Sequence, residues 1–278
     1  METVTSSDGT PIAYERTGSG PPLVLVHATT SDHTRWELAD VRPTLAQYFT
    51  VYAMDRRGYG ESGDAERYSL EREFDDVVAV VDSIDEPVNL LGHSQGALCA
   101  LGASLRTANL STLILYEAPT PWGVVGPYLY AEDLLAEMEA LIAAGDVEQA
   151  LVLYLAEYVE LKPEELESLR EAPSWPDRVE MARIIPREER APAEFEFDST
   201  QFAEMTTPTL LLVGGESFEW ADEAAKILAD ALPNSRVVTF EGQGHVAMNT
   251  VPGIFVDTVV SFVQESSGAV FDERADHR

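Results

Sequence analysis

Residues 88–105 read VNLLGHSQGALCALGASL, and the fold follows from them. Residues 88–91 are an apolar run of strand length, whereas residues 97–105 are rich in alanine and leucine and read as a buried helix. Between the two stands Gly92-His93-Ser94-Gln95-Gly96, a G-x-S-x-G. A strand that turns directly into a helix crowds the two backbones, so the positions two before and two after the turning residue must be small. Such a turn lifts the Ser94 hydroxyl above the end of a sheet. It also sets the backbone N–H of Gln95 at a helix N-terminus, where it can donate to a developing oxyanion. The pattern alone is common. With a strand before it and a helix after it, it reads as a nucleophile turn and not a structural glycine turn.

Working outward, VTSS (4–7), PIAYERT (11–17), LVLVHA (23–28), FTVYAMD (49–55) and TLILYEA (112–118) are further strand-like runs. The segment YSLEREFDDVVAVVDSI (68–84) places Phe74, Val77, Val78 and Val81 at helical spacing. Near-continuous apolar strands alternating with helices predict an α/β protein with a mostly parallel, doubly wound sheet covered on both faces. The rhythm breaks after residue 118. Residues 119–207 contain no convincing strand but hold helical stretches at 130–145, 147–160 and 163–172, punctuated by Pro163, Pro173, Pro176, Pro186 and Pro192. Strand and helix then return with TPTLLLVGG (207–215), ADEAAKILADAL (221–232), SRVVTFE (235–241) and a last helix near 253–264. The expected organisation is a core in two parts, 1–118 and 208–266, a helical cap at 119–207, and a flexible tail at 267–278. An insertion past a sheet's carboxyl edge lies where α/β proteins bind ligands. The aromatic residues Trp122, Tyr128, Tyr130, Tyr154, Tyr158 and Trp175 are expected either to line that pocket or to hold the cap helices together.

Composition narrows the partners. Hydrophobic residues are 45% and charged residues 24% of the 278, as in a folded globular chain. The formal net charge is −31, with Lys162 and Lys226 the only lysines. That field repels phosphate backbones and anionic lipid, which argues against nucleic-acid and membrane partners. Two causes of the acidity stand open: adaptation to high salt, or drift toward arginine in a GC-rich genome. Cys99 is the single cysteine and sits among small apolar residues, so an inert buried thiol is expected. The N-terminus has no basic stretch followed by an apolar run, and no apolar stretch is long enough to span a bilayer. The expectation is a soluble, cytoplasmic protein acting on a small molecule.

A serine hydroxyl needs a base. Of His27, His33, His93, His245 and His277, the best placed is His245, in EGQGHVAM (241–248) between the last strand and the last helix. His277 lies in the tail, and His93 is expected to point away from Ser94. No metal motif is found: HExxH and paired cysteines are absent, and His27 and His33 have no obvious third ligand. GSGPP (18–22) precedes a strand and opens no helix, so it is not a dinucleotide fingerprint. No cofactor is expected.

Taken together, LVLVHATTSDHTRW (23–36), YAMDRRGYGES (52–62), LLGHSQGAL (90–98) and GQGHVAM (242–248) resemble the α/β-hydrolase superfamily, over nearly all of the chain outside the cap. The resemblance implies a second oxyanion donor, the N–H of Thr29, in a segment where Ala28 stands in place of the usual glycine. It implies a structural loop at 55–62. It also implies a triad acid, usually an Asp after the penultimate strand, but the two registers there hold Ser217 and Phe218. In some haloalkane dehalogenases the acid is a Glu after the sixth strand, and here that residue is Glu117. Glu117 is therefore the expected third member, with Glu216, then Glu219 or Asp222, as alternatives. The expected activity is a serine esterase that cleaves a small ester, lactone or thioester through an acyl-enzyme. The same fold hosts perhydrolases, carbon–carbon hydrolases, cyclases and receptor-like binding modules, and these stay open. Haloalkane dehalogenation is disfavoured, because that chemistry uses an Asp at the turn.

Overall fold

The computed structural model describes residues 1–119, 132–159, 161–194 and 198–268. Trp122, Tyr128, Tyr130 and the tail from residue 269, His277 included, lie outside them. The strands are β1 (Glu2–Thr5), β2 (Pro11–Gly18), β3 (Pro22–Val26), β4 (Thr50–Met54), β5 (Val88–His93), β6 (Leu110–Tyr116), β7 (Thr209–Gly214) and β8 (Ser235–Phe240). They form one eight-stranded sheet in the order β1-β2-β4-β3-β5-β6-β7-β8. β1 with β2 and β2 with β4 are antiparallel, and every other pair is parallel. The chain leaves β3 toward β4 on one side and returns to β5 on the other. The carboxyl ends of β3 and β5 therefore flank the switch point, where a crevice opens in such sheets.

Both faces are covered. On one, α2 (Leu70–Asp82) and α3 (Gln95–Ser104) pack Phe74, Val77, Val80 and Leu98 against Val24, Leu90 and Leu113. On the other, α1 (Val41–Leu45) and α11 (Pro252–Ser267) set Leu45, Phe255 and Val259 against Leu25, Leu91 and Leu212. The buried stripe of α2 includes Val80, and Val78 is only half-buried, a rotation of the expected face by one side chain. α11 runs through Ser267 and ends at Gly268 in the left-handed region, one residue into the expected tail. No helix among the described residues is long and apolar enough to cross a membrane.

Between β6 and β7 the described residues are helical: α4 (Glu132–Ala144), α5 (Val147–Leu153), α6 (Pro163–Arg170), α7 (Trp175–Met181) and α8 (Ile185–Glu194). They share an apolar centre of Leu135, Met138, Leu151, Trp175 and Ile185. The proline-marked stretch past residue 172, where no particular helix was expected, holds α7 and α8. Pro176 and Pro186 stand in first turns, where a missing N–H costs no hydrogen bond, and only Pro192 lies further in. α9 (Glu219–Ala231) and the short α10 (Ala247–Thr250) complete the core.

The insertion is joined to the core by ions. Arg56 donates to Glu73 through Nε (3.1 Å) and Nη2 (2.8 Å), and its Nη1 lies 2.7 Å from Glu188 Oε1 on α8. All three side chains are fully buried.

The seat of α3 yields a stability test. A Cβ on Gly96 would stand 2.4 Å from the carbonyl oxygens of both Val26 and His27, backbone atoms that have no room to move. Gly96→Ala should lower the unfolding free energy by about 1–3 kcal/mol, read from urea denaturation. Gly253, in the first turn of α11, meets nothing within 4 Å. Gly253→Ala should raise stability by up to about 1 kcal/mol, because a helix spends less backbone entropy on alanine. Equal denaturation midpoints for the two variants would contradict the packing described.

Candidate active site

The turn between β5 and α3 holds Ser94 at φ 54° and ψ −124°, a backbone conformation that side chains other than glycine rarely adopt. Neighbours over-determine it. Ser94 N–H donates to the Tyr116 carbonyl at 2.8 Å, and the Ser94 carbonyl accepts from Ala97 N–H at 2.8 Å. Ser94 lines a cavity of about 480 Å³ with Thr29, Gln95, His93 and His245. Each residue expected to act in the reaction, Glu117 apart, thus opens on the same space.

Glu117 lies just past β6, fully buried through its side chain and itself at φ 47°. Its Oε1 accepts from Gly214 N–H at 2.7 Å. Oε2 accepts from the Ser217 hydroxyl at 2.7 Å and from His245 Nδ1. Ser217, standing where an Asp is usual, therefore hydrogen-bonds to the carboxylate that touches the histidine. Glu216, Glu219 and Asp222 are exposed. With Nδ1–H directed to a carboxylate, the lone pair of His245 is left on Nε2.

The loop carrying His245 is gripped from below. The Tyr116 hydroxyl donates to Gly244 O (2.5 Å) and accepts from Ala247 N–H (2.9 Å), groups that bracket His245 in the chain. His93, left out of the site by sequence reading, donates from Nε2 to the His245 carbonyl at 2.8 Å, and the two rings lie 4.6 Å apart. Burial, and then the charges of His245 and Arg35, holds His93 well below the ordinary imidazole value, so it is a neutral donor. Phe218 packs edge-on to His245 at 5.1 Å and stacks on Trp220.

On the opposite side, His27 is buried and pushed down to about 4 by burial and the nearby Arg56 charge. Its neutral ring accepts from Arg56 N–H at Nε2 (3.0 Å) and donates from Nδ1 to the Ala28 carbonyl (2.7 Å), which fixes the segment that carries Thr29. Ala28 is not among the described non-glycine residues with positive φ, so alanine there incurs no left-handed strain. In the 55–62 loop, Asp55 accepts from His33 N–H (2.7 Å), His33 Nδ1 (2.8 Å) and Glu61 N–H (2.9 Å) and is spent on scaffold.

Sequence reading also missed two acids on α8. Glu188 accepts from the Thr29 hydroxyl at 2.9 Å and from Tyr59, so the insertion touches the Thr29 segment directly. Glu189 forms part of the cavity wall and accepts from Tyr154 (2.6 Å) and Tyr158 (2.5 Å). In IPREERAPAE these acids look like a solvated face, and no local pattern marks them as buried.

This sheet order, with a serine on the strand-to-helix turn at the switch point, is that of an α/β-hydrolase fold. The family model described as "Alpha/beta hydrolase family" matches residues 23–258; the chain belongs to that family and is an enzyme of hydrolase type. It is similar to an alpha/beta hydrolase from Sphaerobacter thermophilus, with 35% identity, 94% of this chain and 99% of that one covered, and a TM-score of 0.80. An esterase from Rhodococcus sp. ECU1013 has 25% identity and a TM-score of 0.70, with 95% and 98% covered. The pimeloyl-[acyl-carrier protein] methyl ester esterase of Aeromonas hydrophila is 25% identical over 263 residues, 91% of this chain and 99% of that esterase.

Glu189 supplies a pH test. Burial, and then the Glu188 charge, pushes its carboxyl from 4.5 up to about 7. The folded state therefore holds this proton more tightly than the unfolded chain. Its contribution to stability is complete below the unfolded value and is lost as pH rises toward 7. Glu189→Gln stays neutral throughout, so its melting temperature relative to wild type should climb between pH 4.5 and 7 and level off above. A difference that is flat with pH would contradict this.

Proposed function

We propose that the chain is a serine hydrolase that cleaves a small ester, lactone or thioester through an acyl-enzyme. The observation that carries the reading is the buried Glu117 carboxylate on Nδ1 of His245, an imidazole that shares one cavity with Ser94. Ser94 Oγ attacks the acyl carbon while His245 Nε2 takes its proton. Glu117 orients the ring and stabilises the imidazolium. The amides of Thr29 and Gln95 receive the oxyanion. Collapse breaks the acyl–oxygen or acyl–sulfur bond, and His245 returns the proton to the leaving alcohol or thiol. Water, deprotonated by His245, then releases the acid and restores Ser94. No step calls for a cofactor. Residues 119–207 act as a cap, supported by the insertion residues Tyr154, Leu155, Leu169 and Arg178 in the cavity wall. The free thiol of Cys99 is buried, in keeping with a cytoplasmic enzyme for small substrates.

Ser94→Ala should lose on the order of 10³-fold or more in turnover of chromogenic esters, and all labelling by a fluorophosphonate, with the fold intact. Glu117→Gln should cost roughly 10²- to 10⁴-fold, and Glu216→Gln less than tenfold. The reverse ranking of the two Glu variants would remove Glu117 from the mechanism, and near-wild-type activity in Ser94→Ala would end the serine reading.

A further inference from the structure

Two arginines in the cavity wall, the buried Arg35 and the half-buried Arg178, stand apart from the buried arginines that are paired with acids. Arg42, Arg56 and Arg57 are each within salt-bridge reach of two carboxylates. Arg35 is only 9% exposed, yet among the described residues its side chain has a single hydrogen-bonding contact, Nη2 to Met248 Sδ at 3.6 Å. Arg178, on α7, donates from Nη1 to the Thr30 carbonyl (2.8 Å) and hydroxyl (3.2 Å), while its Nε is buried with no partner. Neither forms a salt bridge with a described carboxylate. Burial, and then the like charge of Arg178, pulls Arg35 down to about 10, still charged at neutral pH, and burial also lowers Arg178.

A buried cation without a counter-ion is costly, by several kcal/mol in effective terms. A guanidinium sheds that cost by meeting an anion, because its planar fork of donors matches a carboxylate. In a chain with 49 acidic residues, no described carboxylate lies within salt-bridge distance of either arginine: Asp32 acts on Arg178 only from further away, and Glu189, also in the wall, accepts from Tyr154 and Tyr158, which leaves an anion to be supplied from outside. Part of the wall is aliphatic, with Leu38, Leu155, Val159, Leu161 and Leu169, which suits a hydrocarbon spacer. Long-range repulsion by the net charge is screened beyond roughly 10 Å at 0.1 M salt, whereas a contact inside the cavity is not.

We propose that Arg35 and Arg178 bind a free carboxylate on the substrate, so that the preferred substrates are half-esters of dicarboxylic acids, with the ester end at Ser94 and the carboxylate end on the arginine pair. This rests on the serine-hydrolase reading above. Hydrolysis consumes one water and releases the alcohol and the dicarboxylic acid, the acyl–oxygen bond being the one broken.

The test compares the p-nitrophenyl half-esters of adipic and suberic acids with their methyl-capped, neutral counterparts. Wild type should favour the anionic ester in kcat/KM by about tenfold or more. Arg178→Met should shrink that anionic-to-neutral ratio by about 10- to 100-fold, and Arg178→Lys by less, since a point charge remains. Arg35→Met should act in the same direction; if it fails to fold, Arg178, only partly buried, decides. Calorimetry of adipate with Ser94→Ala measures the site without turnover, and binding should weaken at least tenfold in Ser94→Ala/Arg178→Met. If wild type hydrolyses no ester of either kind, the serine reading falls, and adipate binding still judges the arginine site. A ratio near one in wild type, or a ratio unmoved by Arg178→Met, overturns the proposal, as does failure of adipate to bind.

Discussion

The architecture of the site depends on one close backbone approach: Gly96 against the carbonyls of Val26 and His27. It seats the start of α3 on the end of β3, and so fixes the turn in which Ser94 takes a positive φ. The segment that leaves β3 is brought beside that turn by the same contact. His27 carries the arrangement one step further. Its carbonyl meets the glycine, and its neutral ring bonds both to the backbone of Ala28 and to Arg56 at the head of the 55–62 loop. A side chain on Gly96 would separate these three segments together, which is why the strain at Ser94 can be held at all.

A second layer of order is ionic and buried. Exposed pairs such as Arg183–Glu180 are worth little in water. Arg56, Glu73 and Glu188 are fully buried, and none can leave without stranding the others at a cost of about 3–5 kcal/mol. Glu188 also receives the Thr29 hydroxyl, so the ion cluster that anchors α8 touches the segment beside Ser94. The helical insertion and the carboxyl end of the sheet are in this way parts of one electrostatic structure.

The carboxylate on His245 is a case of one position changing neighbours while the hydrogen bonds are kept. Glu117 projects from the end of β6, one strand inward from β7, and its longer side chain spans to the histidine loop. Gly214 N–H and Ser217 at the end of β7 donate to it. Three donors on a buried carboxylate hold it still, which is what an orienting group beside an imidazole requires.

Much of this was legible in the chain, because it is local. The crowding around Ser94 is written in Gly92 and Gly96, the strands in short apolar runs, the helical character of the insertion in its periodicity, and His245 in a glycine-rich loop between the last strand and helix. Glu117 could be named only by resemblance, since nothing within a few residues of it marks a partner 128 positions away. α7 and α8 were hidden because proline in a first turn breaks no hydrogen bond, while read along a sequence it signals a break. The burial of Glu188 and Glu189, the grip of His93 on the His245 carbonyl, and the placing of Arg35 and Arg178, 143 positions apart, in one cavity wall were decided by tertiary structure alone. Charged and polar side chains look alike along a chain whether solvated or enclosed. Only the packing of distant elements sets which of them lose their water and must find, or wait for, a partner of opposite charge.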